Sequence, residues 1–398
     1  MIQFISGALF IIFLALVILL ASSDKRRKRI LRKMPAVTFV VPCYNDVDTV
    51  EATIRSIYDV AGGKANVIVV NDCSTDDSGK LLERLAGELG FTLHNNESNL
   101  GKSQTLNRVS ELVVTEVIVF VDADVIVKED AFTDAITRLS YERVAAVSCP
   151  YVPENKGVIP LMQHIEYSML TLIQGAYNVF STIALWGGFV AVKKAAFEQV
   201  GRFSTNAITE DMDLALKLNE HGWKVEQSFK PIHTHVPDTF SSWYHQKLRW
   251  SSGGAQCIVR HWRVWIKNPI HLFFIFSYFS FMLSMVVGLA QNVMAVGNVV
   301  DTFAALHKTY SLLVTLRLTA FAHDGLKLVL GLIMTFAFTF FSVPYVLPLI
   351  PSWRKWYVAL LAVPFSVLYI PVFSFATIAG VFCYIAKSRK YESKERAW

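Results

Sequence analysis

Acidic residues stand where short apolar runs end. Val121-Asp122-Ala123-Asp124 closes a β-branched run with two carboxylates one residue apart, and both can face a ligand if the strand breaks there. Hard oxygen donors of this kind suit Mg2+ or Mn2+, which can bridge a diphosphate and offset charge on a leaving group. Thr209-Glu210-Asp211 opens a stretch of helical spacing, Met212 to Asn219, and puts a carboxylate where it could take a proton from an attacking hydroxyl. An acidic first turn also meets the helix dipole favourably, and taken alone these residues favour that structural reading.

Three further groups have side chains suited to a sugar or a nucleotide. Gln246, Arg249 and Trp250 fall at i, i+3 and i+4, so a helix would present them on one face. The guanidinium could hold a diphosphate and the indole could stack on a sugar ring. The same stretch, with Trp243, Tyr244, Trp262 and Trp265 nearby, also suits a helix lying at a membrane surface. Tyr44, in Pro42-Cys43-Tyr44-Asn45-Asp46, could stack on a base, and Asp72, in Asn71-Asp72-Cys73-Ser74, could accept from a base imide. Taken alone, each fragment is more commonly a turn or a helix cap. Trp186-Gly187-Gly188 reads as a loop whose glycines admit close backbone approach, either an acceptor floor or a simple turn. His233, His235, His245 and His261 have no ligand spacing, and the five cysteines contain no CxxC pair, which excludes a disulfide framework or a zinc site.

The elements that must position these groups form an alternating series. Val37 to Val41, Val67 to Val70 and Val117 to Val121 read as buried parallel strands, and Val50 to Tyr58, Gly79 to Leu89 and Ser103 to Val113 as helices. The expected fold class is α/β, a Rossmann-like sheet with ligands at the carboxyl ends of its strands. The 398 residues are 53% hydrophobic and 18% charged, too apolar for a wholly soluble chain. Phe4 to Ala21, Ile270 to about Val296, Leu326 to Ile350 and Tyr357 to Ala386 have spanning length, and Leu306 to Phe321 suits an interfacial segment. Basic residues follow the first run (Lys25 to Lys33) and close the chain (Lys387 to Arg396). That flanking pattern predicts cytoplasmic loops of a multi-pass plasma-membrane protein and argues against nucleic acid as a partner. The expected organisation is a transmembrane helix over 1–23, a cytoplasmic catalytic domain over 24–239 and an interfacial amphipathic helix over 240–268. A transmembrane bundle over 269–390 and a basic tail over 391–398 complete it.

Taken in order, Tyr44, Asp72, Asp122/Asp124, Thr209-Glu210-Asp211 and Gln246-x-x-Arg249-Trp250 resemble the processive family 2 glycosyltransferases, whose catalytic domain is of the GT-A type. That family includes cellulose, chitin, hyaluronan and poly-N-acetylglucosamine synthases. Leu248-Arg249-Trp250-Ser251-Ser252-Gly253-Gly254 is most similar to the bacterial poly-β-1,6-N-acetylglucosamine synthases. The resemblance implies a UDP-sugar donor, preferably UDP-N-acetylglucosamine, a growing glycan acceptor, a Mg2+ or Mn2+ ion on Asp124, and the lipid bilayer as surroundings. It implies that Pro42, Tyr44, Asp72, Lys102, Asp122, Gln246, Arg249 and Trp250 bind the donor, and that Trp186, Gly187, Gly188 and Trp250 face the acceptor. Asp211, with Glu210 beside it, would be the general base of a single inverting displacement. One helix precedes the domain where several relatives have two, and the membrane part is shorter than in cellulose synthases. Export would therefore call for an accessory membrane subunit or a homo-oligomer. The alternative is a non-processive enzyme that adds a sugar to a membrane lipid.

Overall fold

The computed structural model describes residues 15–25, 29–31, 34–61, 66–267 and 364–386, and singly residues 12, 27, 271, 272, 276 and 361. The chain forms two compact units, Leu16–Pro269 with Gly380–Trp398, and Met1–Ala15 with Ile270–Ala379.

The first unit is built on a sheet of seven strands: β1 (Val37–Cys43), β2 (Asn66–Asn71), β3 (Thr92–Asn95), β4 (Val117–Val121), β6 (Val144–Ser148), β8 (Phe189–Lys193) and β9 (Lys224–Gln227), in the order β3-β2-β1-β4-β8-β6-β9. Its β-branched runs are buried on both faces, as strands covered by helices on either side must be. The strand period of two divides them. Phe39, Val41, Val69, Val119 and Val121 enter one core, while Val40, Ile68, Val70, Ile118 and Phe120 enter the other. The first core is covered by α1 (Val50–Ala61), α2 (Ser78–Leu89) and α4 (Glu129–Leu139). The second is covered by α3 (Lys102–Ser110), α6 (Lys194–Gln199) and α7 (Glu210–Glu220). The expected parallel strands are present: β1 pairs in parallel with β2 and with β4. The sheet as a whole is mixed, because β8 runs antiparallel between β4 and β6. Sequence periodicity cannot give that direction, since a buried strand reads the same either way.

A second sheet of three short strands, β5 (Val125–Ile126), β10 (Ile232–Thr234) and β7 (Tyr151–Pro153), stands beside the end of β4. Two longer helices, α5 (Val158–Tyr177) and α8 (Phe240–Arg260), and the short α9 (Trp262–Lys267) complete the unit's described elements up to residue 267. A π-helical turn, Phe365–Tyr369, follows Pro364 and leads into a helix, α10 (Ile370–Ile385). Pro371 has no N–H for the fourth carbonyl before it, which accounts for the wide turn there. Among the described residues no helix is long and apolar enough to cross a membrane. The expected spans at Ile270 to Val296 and Leu326 to Ile350, the interfacial segment at Leu306 to Phe321, the basic tail, and most of Phe4 to Ala21 lie outside the described residues.

Candidate active site

The carboxyl ends of β1, β2 and β4 converge, and each ends in a turn. Asn45 and Cys73 adopt positive φ of 59° and 63°, a conformation that turns the chain sharply out of β1 and β2. Asn45 Oδ1 accepts from the Thr75 and Asp76 backbone N–H groups at 2.7 and 3.3 Å, so these two turns are fastened together. Pro42 lies inside β1, and Tyr44, half-buried, opens the turn. Asp72 is fully buried. Its carboxylate accepts from Asn96 Nδ2 at 2.7 Å and from the Leu100 and Gly101 N–H groups at 2.9 Å each. Asp72 therefore holds the loop that launches α3, and that loop delivers Lys102.

Lys102 is the electrostatic centre. Its ammonium lies 2.6 Å from Asp122 Oδ1 and 3.4 Å from Glu210 Oε1, which joins the end of β4 to the first turn of α7. Burial alone would lower the Lys102 pKa, but these two carboxylates outweigh it and raise the value. Glu210 shows the converse: burial pushes it up, and Lys102 with Arg249 brings it below its ordinary value. Asp122 and Asp124 are less well compensated. Asp122 is raised by burial against the pull of Lys102. Asp124 is pushed up to about 6 by burial and by Asp122, although Thr234 Oγ1 donates to it at 3.1 Å. Asp46 is raised by burial and by the charge of Asp122.

Asp211 sits beside Glu210 in the first turn of α7 and is pushed up to about 7 by burial and by Glu210, against Lys102 and Arg249. Its Oδ1 accepts from the Met212 N–H at 2.7 Å. Its Oδ2 lies against Gly187, where a Cβ would stand only 2.9 Å away. Gly188 is as constrained, since a Cβ there would meet the Tyr151 ring and Val125 at 3.0–3.1 Å. The Gly188 N–H donates to Tyr151 Oη at 2.6 Å, and its carbonyl accepts from the Asp122 N–H at 3.0 Å. The Trp186-Gly187-Gly188 turn thus touches both acidic segments, and a side chain at either of its last two positions would press on Asp211, Tyr151 or Val125.

An aromatic wall adjoins this turn. Trp186, buried, donates its indole N–H to Gln227 Oε1 at 2.6 Å and packs edge-on against Tyr151 and Tyr167, ring centroids 4.8 and 5.5 Å away. Tyr167 in turn faces Trp250 at 6.1 Å. Lys247 lies beneath, nearly inaccessible, with its ammonium 2.8 Å from Glu166 Oε1 and 4.2 Å from the Trp250 ring centroid. A desolvated cation over an indole stabilises that ring's position by about 2 kcal/mol.

Helix α8 carries the Gln-x-x-Arg-Trp set, and two of its faces clamp the site. Lys247 and Trp250 meet α5, while Gly253, Gln256, Cys257 and Arg260 meet the segment that opens α7. A Cβ on Gly253 would stand 2.4 Å from the Thr209 side chain, so glycine lets α8 lie directly on the N-cap of α7. Gln256 Oε1 accepts from the Ile208 N–H at 2.8 Å, and Arg260 pairs with Asp213 at 2.8 Å. Arg249 is exposed, and Gln246 is half-buried with an amide oxygen that has no partner among the described residues. Trp243 and Trp265 are core residues, 2% and 3% exposed, whereas Trp262 is 54% exposed. Of the three tryptophans flanking Trp250, only Trp262 therefore offers an interfacial side chain, because the other two fill space beneath the helices.

The structure brings together Lys102, Asp122, Glu210, Asp211, Gly187 and Gly188, and places Trp186 and Trp250 in one wall. Tyr151, Tyr167, Glu166, Lys247, Asp46 and Thr234 join them and were not read from the sequence. Lys247 had a signal, three residues before Trp250 and so on its face. The others come from separate elements and carry none. No group of three or more His, Cys, Asp and Glu side chains forms a metal cage among the described residues. The under-compensated carboxylates of Asp122 and Asp124 fit an ion of the Mg2+ or Mn2+ kind, which binds through one or two carboxylates and completes its shell with phosphates and water.

An α/β sheet with an acidic Asp-x-Asp break after its central strand, a carboxylate pushed up to about 7 and an aromatic wall beside it is the GT-A fold of glycosyltransferases. Residues 38–201 match the model of glycosyl transferase family 2. Over 240 residues the chain is 28% identical to poly-beta-1,6-N-acetyl-D-glucosamine synthase of Staphylococcus aureus, covering 57% of each chain. It is 25% identical over 242 residues to the enzyme of that name from Staphylococcus epidermidis, covering 60% of this chain and 59% of the relative. The chain thus spans rather more than half the length of the curated relatives it matches. A mannosyltransferase from Pyrobaculum calidifontis, solved with GDP-Man and Mn2+, shares the fold at a TM-score of 0.58 and 18% identity, covering 98% of this chain and all of that one.

Proposed function

We propose that the protein polymerises a UDP-activated sugar, with UDP-N-acetylglucosamine as the preferred donor, into a β-linked polysaccharide at the cytoplasmic face of the plasma membrane. The observation that carries this reading is the junction at Gly187. There a carboxylate with a pKa near 7, Asp211, abuts a turn whose first residue, Trp186, belongs to the aromatic wall. A sugar resting on the partly exposed rings of that wall, Tyr151 and Trp250, would present a hydroxyl to a base poised for neutral pH. Asp211 takes the hydroxyl proton as its oxygen bonds to the anomeric carbon. The bond from that carbon to the diphosphate breaks on the opposite face, UDP leaves, and the configuration inverts. Lys102 and Arg249 supply positive charge toward the departing diphosphate, and Glu210 holds Lys102 in place. A Mg2+ or Mn2+ ion, held by Asp124 with Asp122 beside it, would add electrostatic stabilisation of the leaving group. The names of the staphylococcal relatives support polymer synthesis and the choice of donor.

The test is a screen of radiolabelled UDP-sugars on the purified chain in detergent, with Mg2+ and with Mn2+, products being sized on gels and challenged with linkage-specific glycosidases. A long ladder from UDP-N-acetylglucosamine is expected. One sugar attached to a lipid would replace the polymerase reading with lipid glycosylation.

A further inference from the structure

On the α7–α9 side of the first unit lies a cavity of about 280 Å³ that the transfer chemistry does not use. Four cations line it: Arg143 before β6, Lys224 at the start of β9, and Arg263 and Lys267 on α9. Phe180 and Trp223 supply its apolar walls. The one acid in the lining, Glu220, is already engaged by His261 Nδ1 at 3.1 Å, and Lys224 is paired with Glu226 at 2.9 Å. Arg143, Arg263 and Lys267 enter no ion pair among the described residues, so the cavity carries an uncompensated positive field. Its volume lies just under the range of drug-sized ligand sites, which suits a compact anionic group better than a nucleotide or an oligosaccharide.

The surface beside it is apolar. Trp262 and Ile266, one turn apart on α9, are 54% and 64% exposed, and Val259, just before them, is 61% exposed. Arg263 and Lys267, also one turn apart, form the neighbouring row, while Val264 and Trp265 anchor the helix in the core. An exposed aromatic and aliphatic row beside a basic row marks an element lying in a lipid interface. In the sequence, α9 ends three residues before Ile270, where an apolar run of spanning length begins. Basic residues at that distance from a span face the anionic leaflet.

We infer that this cavity is a headgroup site for an anionic phospholipid of the bilayer, with Arg263, Lys267 and Arg143 on the phosphate and the Trp262–Ile266 row among the acyl chains. The inference rests on the membrane part of the proposed function and not on sugar transfer, so its test reads lipid and leaves activity aside. The full chain in mild detergent is titrated with phosphatidylglycerol, phosphatidylcholine or inorganic phosphate, and retained lipid is counted by native mass spectrometry. Phosphatidylglycerol should be retained over phosphatidylcholine, and the double substitution R263Q/K267Q should weaken its retention by about 25-fold, about fivefold per cation. Equal retention of the two lipids, or unchanged retention by the double variant, overturns the proposal. Acetylation footprinting of the unsubstituted protein gives an answer that no variant's folding can confuse. Lys267 should be protected by phosphatidylglycerol and stay reactive in inorganic phosphate. Protection by phosphate alone would make this a soluble-anion site and overturn the lipid assignment.

Discussion

Asp211 and Asp213 stand two residues apart in the first turn of one helix, and their environments drive them in opposite directions. The helix dipole favours both carboxylates alike, so it cannot separate them. Asp211 faces the site, with Glu210 beside it, and is pushed up to about 7. Asp213 is fully buried, yet it is brought down to about 2. Burial works against its charge too. What reverses the outcome is three donors, His261 Nε2 at 3.1 Å, Arg260 Nη1 at 2.8 Å and Ser204 Oγ. One carboxylate is left short of partners and ionises only near neutrality. The other is saturated and becomes a rivet between α7 and α8. Compensation, not burial, separates chemistry from structure here.

The strongest way to break this comparison is Asp211→Asn. Transfer should fall by about 10²–10⁴-fold, the usual worth of a general base, while UDP affinity stays near its original value. Near-normal polymerisation by that variant, measured with labelled donor, would remove Asp211 from the chemistry. Asp124→Ala should weaken metal-supported UDP binding by about tenfold or more. Calorimetry with Mn2+ and with EDTA reads this directly, and affinities that match in the two media would count against the metal role.

Stability should move in opposite directions for the pair. Asp213→Asn removes the charge that Arg260 and His261 hold and should cost about 2 kcal/mol, less than a wholly buried pair because Arg260 is 30% exposed. Asp211→Asn relieves an uncompensated charge and should raise the melting temperature at pH 8. A fall in both would show that the two carboxylates share one structural role. The pH dependence follows with its sign. The Asp213 contribution is complete above its unfolded value, ordinarily 3.8, and is lost as pH falls through about 2. Asp211 destabilises increasingly as pH rises from 3.8 to about 7, and the same ionisation should give kcat/KM an ascending limb near pH 7. Gly253→Ala tests the packing that holds α8 on α7. The added methyl meets Thr209 and should cost about 1–3 kcal/mol as α8 shifts off the N-cap of α7, read by thermal unfolding.

Much of the fold was legible because its signals are local. The β-branched runs of β1, β2 and β4 and the helical spacing of α1, α2 and α3 lie within single elements; β4 keeps its expected bounds, and the structure extends or trims the others by only a few residues. Glu210 and Asp211 were read as residues ahead of a helix, whereas the helix begins at Glu210 and Thr209 is its N-cap. That difference is a matter of one turn. The tryptophans near Trp250 were harder, since Trp243 and Trp265 have the composition of an interfacial helix but fill the core.

The sequence by itself determined which carboxylates end strands or open a helix, that the first three long strands run parallel, and that Gln246, Arg249 and Trp250 share a helix. Short-range spacing is enough for each of these. Only the tertiary structure decided the direction of β8, the descent of Lys102 onto Asp122 and Glu210, and the contact of Asp211 with Gly187. It also decided that Tyr151, Tyr167 and Lys247 build the wall with Trp186 and Trp250. Each of those facts joins elements tens of residues apart, and a pKa depends on the partners that such joining supplies. Asp211 and Asp213 show the limit most plainly. Glu210, beside Asp211 in the chain, accounts for part of the difference, but burial and the donors that only the fold brings to Asp213 set one near 7 and the other near 2.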